Sequence, residues 1–505
     1  MIAKVRSAAC LGIHAYPVEI EVDVANGLPQ LIIVGLPDPS VKESRERVRS
    51  AIKNSGFSFP PEKITVNLAP ADIKKEGPAF DLPIALGILA ASGILPAERL
   101  ANFTFLGELA LDGSLRPFKG AVAIASALKA SSAFVFPLEN AREASLERNA
   151  KIYPLGNLTE VVQFLLGERT IDPLPMMIAN GPRLLHEKVN FSEVRGQIFA
   201  KRAIEIAVAG GHNVLLIGPP GSGKSMLGRR IPTLLPPLEF EEALEITKIY
   251  SVAGLLRHGF LIDERPFRAP HHSISPVALT GGGSWPKPGE ISLAHGGVLF
   301  LDEFPEFRRD ALEGLRGPLE EGEITISRAK MHITFPSRFL LVAAMNPCPC
   351  GHLSDIRKAC RCSLGQIQKY QSKISGPILD RIDLHVEVVS LPYQTLTSEE
   401  PSEASEEIRS RIFSARDVQA SRYAEGRLKL NAHMRAREMK QFARPDTEGR
   451  KLIEMAMKEL HLSARAYYKI LKVARTIADL AGEETLQAEH VAEAIQYRSL
   501  DRQWV

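Results

Sequence analysis

The chain is short of cysteine, of long apolar runs and of net charge, and each shortage excludes something. Five cysteines in 505 residues are too few, and odd in number, for a disulfide framework. The opening "MIAKVRSAACLGIHAYPVEIEV" alternates like a strand and lacks the apolar core of an export signal, so a reducing cytoplasm is expected. There, clustered thiols point to metal before disulfides. The longest uncharged stretch, residues 82–97, is too short to span a bilayer and contains Pro83, so no membrane segment is expected. A net charge of +3 permits nucleic-acid binding without arguing for it.

A hydrophobic fraction of 45% and a charged fraction of 24% are those of an ordinary globular protein. The length calls for about three domains. Two composition breaks divide it: the proline-rich "TIDPLPMMIANGP" and the acidic "TSEEPSEASEE". The expected layout is an α+β domain over residues 1–169 and a linker over 170–189. An α/β domain over 190–396, an acidic connector over 397–407 and an all-helical domain over 408–505 follow.

The most specific motif is "NVLLIGPPGSGKSML". An apolar strand runs into Gly218, Pro219, Pro220, Gly221, Ser222, Gly223, Lys224 and Ser225, and then a helix. This G-x-x-x-x-G-K-S spacing turns backbone N–H groups inward on phosphates. Lys224 is expected on the β- and γ-phosphates of ATP and Ser225 on Mg²⁺. "GGVLFLDE" supplies the other half: a buried strand, then Asp302 for the metal and Glu303 to orient the attacking water. A third strand, "RFLLVAAMN", ends on Asn346, placed to touch the γ-phosphate or the water. "GPILDRIDLHVEV" places Arg381 on a helix end before a fourth strand. A salt bridge from Arg381 to Asp380 or Asp383 is the plainer reading of that residue.

A P-loop, Asp-Glu, Asn and Arg in this order resemble the AAA+ ATPases. The resemblance implies that Asn346 is sensor 1 and that Arg381 is a finger reaching a neighbouring subunit's nucleotide. In "LSARAYYKILKVARTIADLAG", Arg465 resembles the sensor 2 arginine of the AAA+ lid, and Arg475 is a second candidate.

Two inserts look mechanical. "FRAPHHSISPVALTGGGSWPKPGEISLAHGG" has a glycine-rich tip with an exposed-looking Trp285 and Lys287. "EITISRAKMHITF" puts Ile324, Ile326, Met331, Ile333 and Phe335 on one face of a β-hairpin, with Arg328 and Lys330 at its tip. Both resemble inserts of the AAA+ branch that holds MCM helicases and magnesium chelatases, in which hairpins project into the pore of a ring. A cationic tip there suits a phosphate backbone; the alternative is an ordinary solvated turn.

In the front domain, "KITVNLAPADIKKEGPAFDLPIALGILAASG" and "LGELALDGSLRPFKGAVAIASALKAS" resemble the Lon protease domain, an S5-like α+β fold. Ala79 stands where that family has its nucleophilic serine, and Val122 where its lysine is expected. Lys119 lies three positions off and is expected on another face of a helix. A serine–lysine mechanism needs both groups, so the domain is expected to be proteolytically dead.

Over essentially its whole length the chain resembles the ComM/YifB group of magnesium-chelatase-like AAA+ proteins. "GLPDPSVKESRERVRSAI", "FRAPHHSISPVALTGGG", "GGVLFLDEFPEF" and "NPCPCG" carry the likeness. The resemblance implies a homo-hexameric, ATP-driven helicase on branched or single-stranded DNA, promoting branch migration in recombination and natural transformation. Two rivals remain: a chelatase-type ATPase remodelling a protein partner, which lacks the Lon-like front, and a regulatory ATPase feeding a protease, which Ala79 weakens.

Four of the five cysteines fall in "NPCPCGHLSDIRKACRCS" as two C-x-C pairs. Cys348, Cys350, Cys360 and Cys362 read as a structural Cys₄ zinc knot, with His352 a substitute ligand. C-x-C is tighter than the usual C-x₂₋₄-C spacing. Reduced thiols packed in a loop, or an oxidation-sensing pair, are the other readings.

Overall fold

The N-terminal alternation resolves into two strands, Ile2–Leu11 and His14–Ala25, paired antiparallel from Ile2 opposite Asp23 to Leu11 opposite His14. Val5, Ile20 and Val22 point to one face and are fully buried, as period-two alternation requires. The computed structural model describes residues 2–128, 133–176, 189–256, 259–283, 285–328, 331–353, 355, 358–392, 394, 402–423, 430–460 and 462–498. It divides into two compact units, Met1–Leu184 with Glu239–Asp263, and Leu185–Leu238 with Glu264–Val505.

The first unit is built on a mixed seven-stranded sheet. Its order is Gln30–Val34, Lys63–Ala69, His14–Ala25, Ile2–Leu11, Thr104–Phe105, Ala133–Pro137 and Lys151–Leu155. The helix Asp81–Ala91 is apolar on every side, and all eleven of its residues are buried. Gly87 lets it lie on the sheet, because a Cβ there would fall 2.5 Å from Val22 Cγ2. At its start the buried Asp81 accepts from Arg47 Nε at 2.7 Å; burial raises its pKa against the pull of that guanidinium.

The stretch Glu239–Asp263, which the sequence reading places inside the α/β domain, packs with this first unit. Its helix, Phe240–Ala253, is fastened through Ser251, whose hydroxyl donates to the buried carboxylate of Glu143. Arg148 sits 4.4 Å over Phe240, and Arg142 sits 5.1 Å over Phe260.

The second unit holds a five-stranded, all-parallel sheet: Phe267–Arg268, Val298–Leu301, Leu340–Met345, Val214–Ile217 and Leu384–Glu387. The strands of residues 214–217, 298–301 and 340–345 are buried end to end, as sheets covered on both faces demand. The C-terminal helices share one core with them. Ile412, Ile470, Ile477 and Val491 bury in the same cluster as Val214, Leu216 and Val386.

"EITISRAKMHITF" forms the hairpin its alternation predicts, with Ile324 opposite Phe335 and Ile326 opposite Ile333, all four buried. Arg328 closes the ladder opposite Met331, and Lys330 lies outside the described residues. Trp285 is half-buried rather than exposed, beside a small ladder of Gly281–Gly282 with Lys287–Pro288. Among the described residues, no helix is long and apolar enough to cross a membrane.

Candidate functional site

Because the strands of the second sheet are parallel, their carboxyl ends gather at one edge, where ligands bind in open α/β sheets. Ile217 feeds the P-loop there, Leu301 feeds Asp302 and Glu303, and Met345 feeds Asn346. Gly218 is required by its neighbour: a Cβ would lie 2.1 Å from the Val388 carbonyl oxygen. Gly221 and Gly223 hold φ of 75° and 96°, the left-handed region that turns N–H groups inward.

Lys224 Nζ is folded back into this loop. It donates to the carbonyls of Gly218 at 2.6 Å and Pro219 at 2.9 Å, and to Asn346 Oδ1 at 3.1 Å. Burial pushes its pKa down to about 8, with Asp302 opposing the shift. Ser225 Oγ donates to Asp302 Oδ2 at 2.5 Å. A hydroxyl and a carboxylate converging so closely form an all-oxygen donor pair suited to a hard divalent cation. The structure thus brings Lys224, Ser225, Asp302 and Asn346 together.

Glu303 follows Asp302 with φ of 54°, a left-handed turn unusual outside glycine. That turn parts its carboxylate from Asp302 and carries it to His272, whose Nδ1 is 2.9 Å from Glu303 Oε2. His272 was missed in the sequence. The only hint is "APHHS", just past the strand Phe267–Arg268 at the same sheet edge. Gln197 was missed too. Its side-chain amide donates to the carbonyls of Ser222 at 3.0 Å and Val389 at 2.7 Å, tying the P-loop to the neighbouring strand's exit. Gly196, Gln197, Ile198, Phe199, His385 and Val389 line a cavity of about 480 Å³ on this side, the right scale for a small ligand.

The arginines separate. Arg381 pairs with neither Asp380 nor Asp383. Its Nη2 is 2.5 Å from Glu320 Oε1, and it donates to the carbonyls of Pro377 at 2.6 Å and Arg316 at 3.2 Å. The plainer reading was right that it is ion-paired and wrong about the partner, because the helix Arg316–Glu321 brings Glu320 nearer. Arg465 is 63% exposed and 3.3 Å from Asp380. Arg475 is excluded as a ligand group: it is 2% exposed, pairs with Asp479 and donates to the carbonyls of Glu483 and Glu484.

The four thiols of the two C-x-C pairs meet, every Sγ within 4.8 Å of the others. The Cys362 N–H donates to the Cys360 sulfur at 3.4 Å, and the Gly351 N–H donates to the Cys348 carbonyl at 3.0 Å. Burial lifts the Cys348 thiol to about 12, whereas the Arg361 and His352 N–H groups draw Cys350 down to about 6. His352 is not part of the cluster; its Nδ1 pairs with Asp355 at 3.0 Å.

In the first unit, Ala79 lies in the turn Pro78–Phe80, and Val122 is buried with its N–H donating to Glu143 at 3.0 Å. Lys119 precedes the helix Ala121–Ala127 instead of lying on it, and its side chain runs along Gly254.

Three families match in series. Subunit ChlI of Mg-chelatase matches residues 20–140, magnesium chelatase subunit ChlI matches residues 190–396, and its C-terminal part matches residues 402–498. Competence protein ComM of Haemophilus influenzae is 46% identical over 99% of this chain and 98% of its own length. YifB of Escherichia coli is 45% identical over 99% and 97%. A probable DNA helicase of Arabidopsis thaliana, MCM9, is 25% identical over 35% of this chain and 22% of its own length. Both matches cover 99% of this chain, and the family matches take in the P-loop, the Asp-Glu strand and the helical C-terminus. The chain therefore belongs to the ComM/YifB group of magnesium-chelatase-like AAA+ ATPases.

Proposed function

We propose that the protein is a ring-forming, ATP-hydrolysing motor that moves DNA branch points in the cytoplasm, serving recombination and natural transformation. The observation that carries the hydrolytic half is the convergence of Lys224, Ser225, Asp302 and Asn346 at one sheet edge. The P-loop N–H groups take the phosphates, and Lys224 leaves the Gly218 and Pro219 carbonyls for them. The cavity beside Gln197 takes the base. Ser225 and Asp302 would hold Mg²⁺, which would supply charge neutralisation at the phosphates. Glu303, oriented by His272, aligns the attacking water and accepts its proton, and Asn346 holds the γ-phosphate side of the site.

Arg381 acts on a neighbouring subunit's nucleotide after leaving Glu320, and Arg465 reaches the phosphates from the lid after leaving Asp380. The Arg465–Asp380 pair is exposed on both sides, so releasing it costs only about 0–1 kcal/mol. Arg381, 11% exposed, must also give up two carbonyls and is costlier to free. The domain bounds of this reading are residues 1–169, 190–396 and 408–505. The first is Lon-like in fold and lacks the serine–lysine pair at Ala79 and Val122, so it binds rather than cleaves. The hairpin carrying Arg328 and Lys330 contacts the DNA backbone in the pore of a homo-hexamer. The name of the Haemophilus relative and the likeness to a probable DNA helicase favour DNA over a protein partner.

The test is a synthetic four-way junction incubated with the protein, ATP and Mg²⁺. Strand products that require both ATP and Glu303 support the motor. No junction movement, with ATP still consumed, turns the reading to the protein-remodelling alternative.

A further inference from the structure

We propose that Cys348, Cys350, Cys360 and Cys362 hold one zinc ion, and that the loop it closes is the support against which the P-loop rests. The second half relies on the nucleotide reading above; the first does not.

Four thiolates ~2.3 Å from one ion at tetrahedral angles stand about 3.8 Å apart. The sulfurs of Cys348 and Cys350 are 3.4 Å apart, those of Cys348 and Cys360 3.7 Å, and those of Cys350 and Cys360 3.6 Å. Cys362 completes the set within 4.8 Å of all three. A disulfide needs about 2.05 Å, and all four cysteines are free. An all-sulfur donor set selects zinc over the oxygen-seeking cations. On binding, four thiols become thiolates and their protons go to solvent, with no change of oxidation state. All four positions are taken by protein, so the ion has no place for a water and is structural.

The segment needs such a closure. Between the strand ending at Met345 and the helix Leu364–Gln371, the described residues form no regular element, and of them only Pro347, Cys348 and Gly351 are buried. Gly351, one residue past Cys350, has φ of 81°. A Cβ there would lie 2.6 Å from Pro220 Cδ and 3.8 Å from Asn346 Cγ. Pro220 is at the tip of the P-loop, and Asn346 accepts from Lys224. On the far side, Gln371 Nε2 donates to the Pro347 carbonyl at 3.3 Å. The thiol-bound loop is therefore pressed between the phosphate cradle and the helix that follows. Closing it with a metal fixes the height of Pro220 and the direction of Asn346 together.

The test starts with metal analysis of full-length protein purified without chelator or affinity metal. About one zinc per chain is expected, released stoichiometrically when a mercurial titrates the thiols, and absent from Cys360→Ser combined with Cys362→Ser. Metal-free wild-type protein overturns the site, whatever its ATPase activity. Gly351→Ala reads the support: it should keep its zinc while binding a non-hydrolysable ATP analogue about tenfold more weakly. Zinc retained with unchanged analogue affinity overturns the support and leaves the metal site standing. Zinc present but no nucleotide binding even in wild type would refute the nucleotide reading instead.

Discussion

Replacing Asp383 with Asn tests how the lid helices are held to the nucleotide-binding sheet. Asp383 and Lys469 are only 13% and 14% exposed, with Lys469 Nζ 3.1 Å from Asp383 Oδ1. Asp383 Oδ2 also accepts from the Asn213 N–H at 3.1 Å, and His212 Nδ1 is 3.7 Å away. Burial alone would raise the Asp383 pKa; the charges of Lys469 and His212 outweigh it and hold the carboxyl far below its usual range. Breaking a buried pair from one side costs about 3–5 kcal/mol. Lys469 keeps the Ile382 carbonyl at 3.0 Å, so the lower end applies. At about 1.5–2 °C per kcal/mol for a unit of this size, the second unit's melting transition should fall by roughly 4–6 °C. Adding Lys469→Met should recover part of that loss by removing the stranded cation. Because the folded pKa is depressed, the stabilisation is complete above the unfolded value of about 3.9 and is lost as pH falls below it. Acid unfolding below about pH 4 should therefore be steeper in wild type than in Asp383→Asn. A melting shift under about 2 °C, or a double variant no more stable than the single, refutes the reasoning.

Other outcomes follow from the site. Arg381→Ala should bind ATP yet hydrolyse it poorly, and mixing it with Lys224→Ala should restore some turnover; proven mixed rings without rescue contradict a role in trans. Arg328→Ala with Lys330→Ala should lower the salt slope of DNA binding while basal ATPase survives, and an unchanged slope returns the hairpin tip to a solvated turn. Burial pushes the Lys224 pKa down to about 8, and phosphate must raise it, so above about pH 8 nucleotide binding takes up a proton. Analogue affinity should then fall as pH rises, by up to about tenfold per unit, whereas calorimetry finding no proton uptake at about pH 9 would contradict this.

The local patterns were legible because short-range rules govern them. "NVLLIGPPGSGKSML" encodes a buried strand, left-handed glycines and a helix within one stretch, and the thiols are spaced closely enough to meet by loop closure alone. What escaped depends on distant chain segments. Gln197 reaches the P-loop from the start of a helix that its own sequence marks only as amphipathic. His272 meets Glu303 because two strands remote in sequence lie side by side and Glu303 turns left-handed. The partner of Arg381 changed for the same reason: Asp380 and Asp383 are near in sequence, and Glu320 is near in space. Nothing in the composition of "FEEALEITKIYSVA" tells that this helix packs with the first unit, since Glu143 lies about a hundred positions upstream.

The most direct test of the central claim is steady-state ATP turnover with and without four-way-junction DNA, in wild type and in Glu303→Gln. Wild-type turnover should rise severalfold with the junction. Glu303→Gln should bind the nucleotide with near-normal affinity and show almost no turnover in either condition. Wild-type turnover indifferent to DNA would contradict the DNA motor, and Glu303→Gln hydrolysing at the wild-type rate would contradict the catalytic site itself.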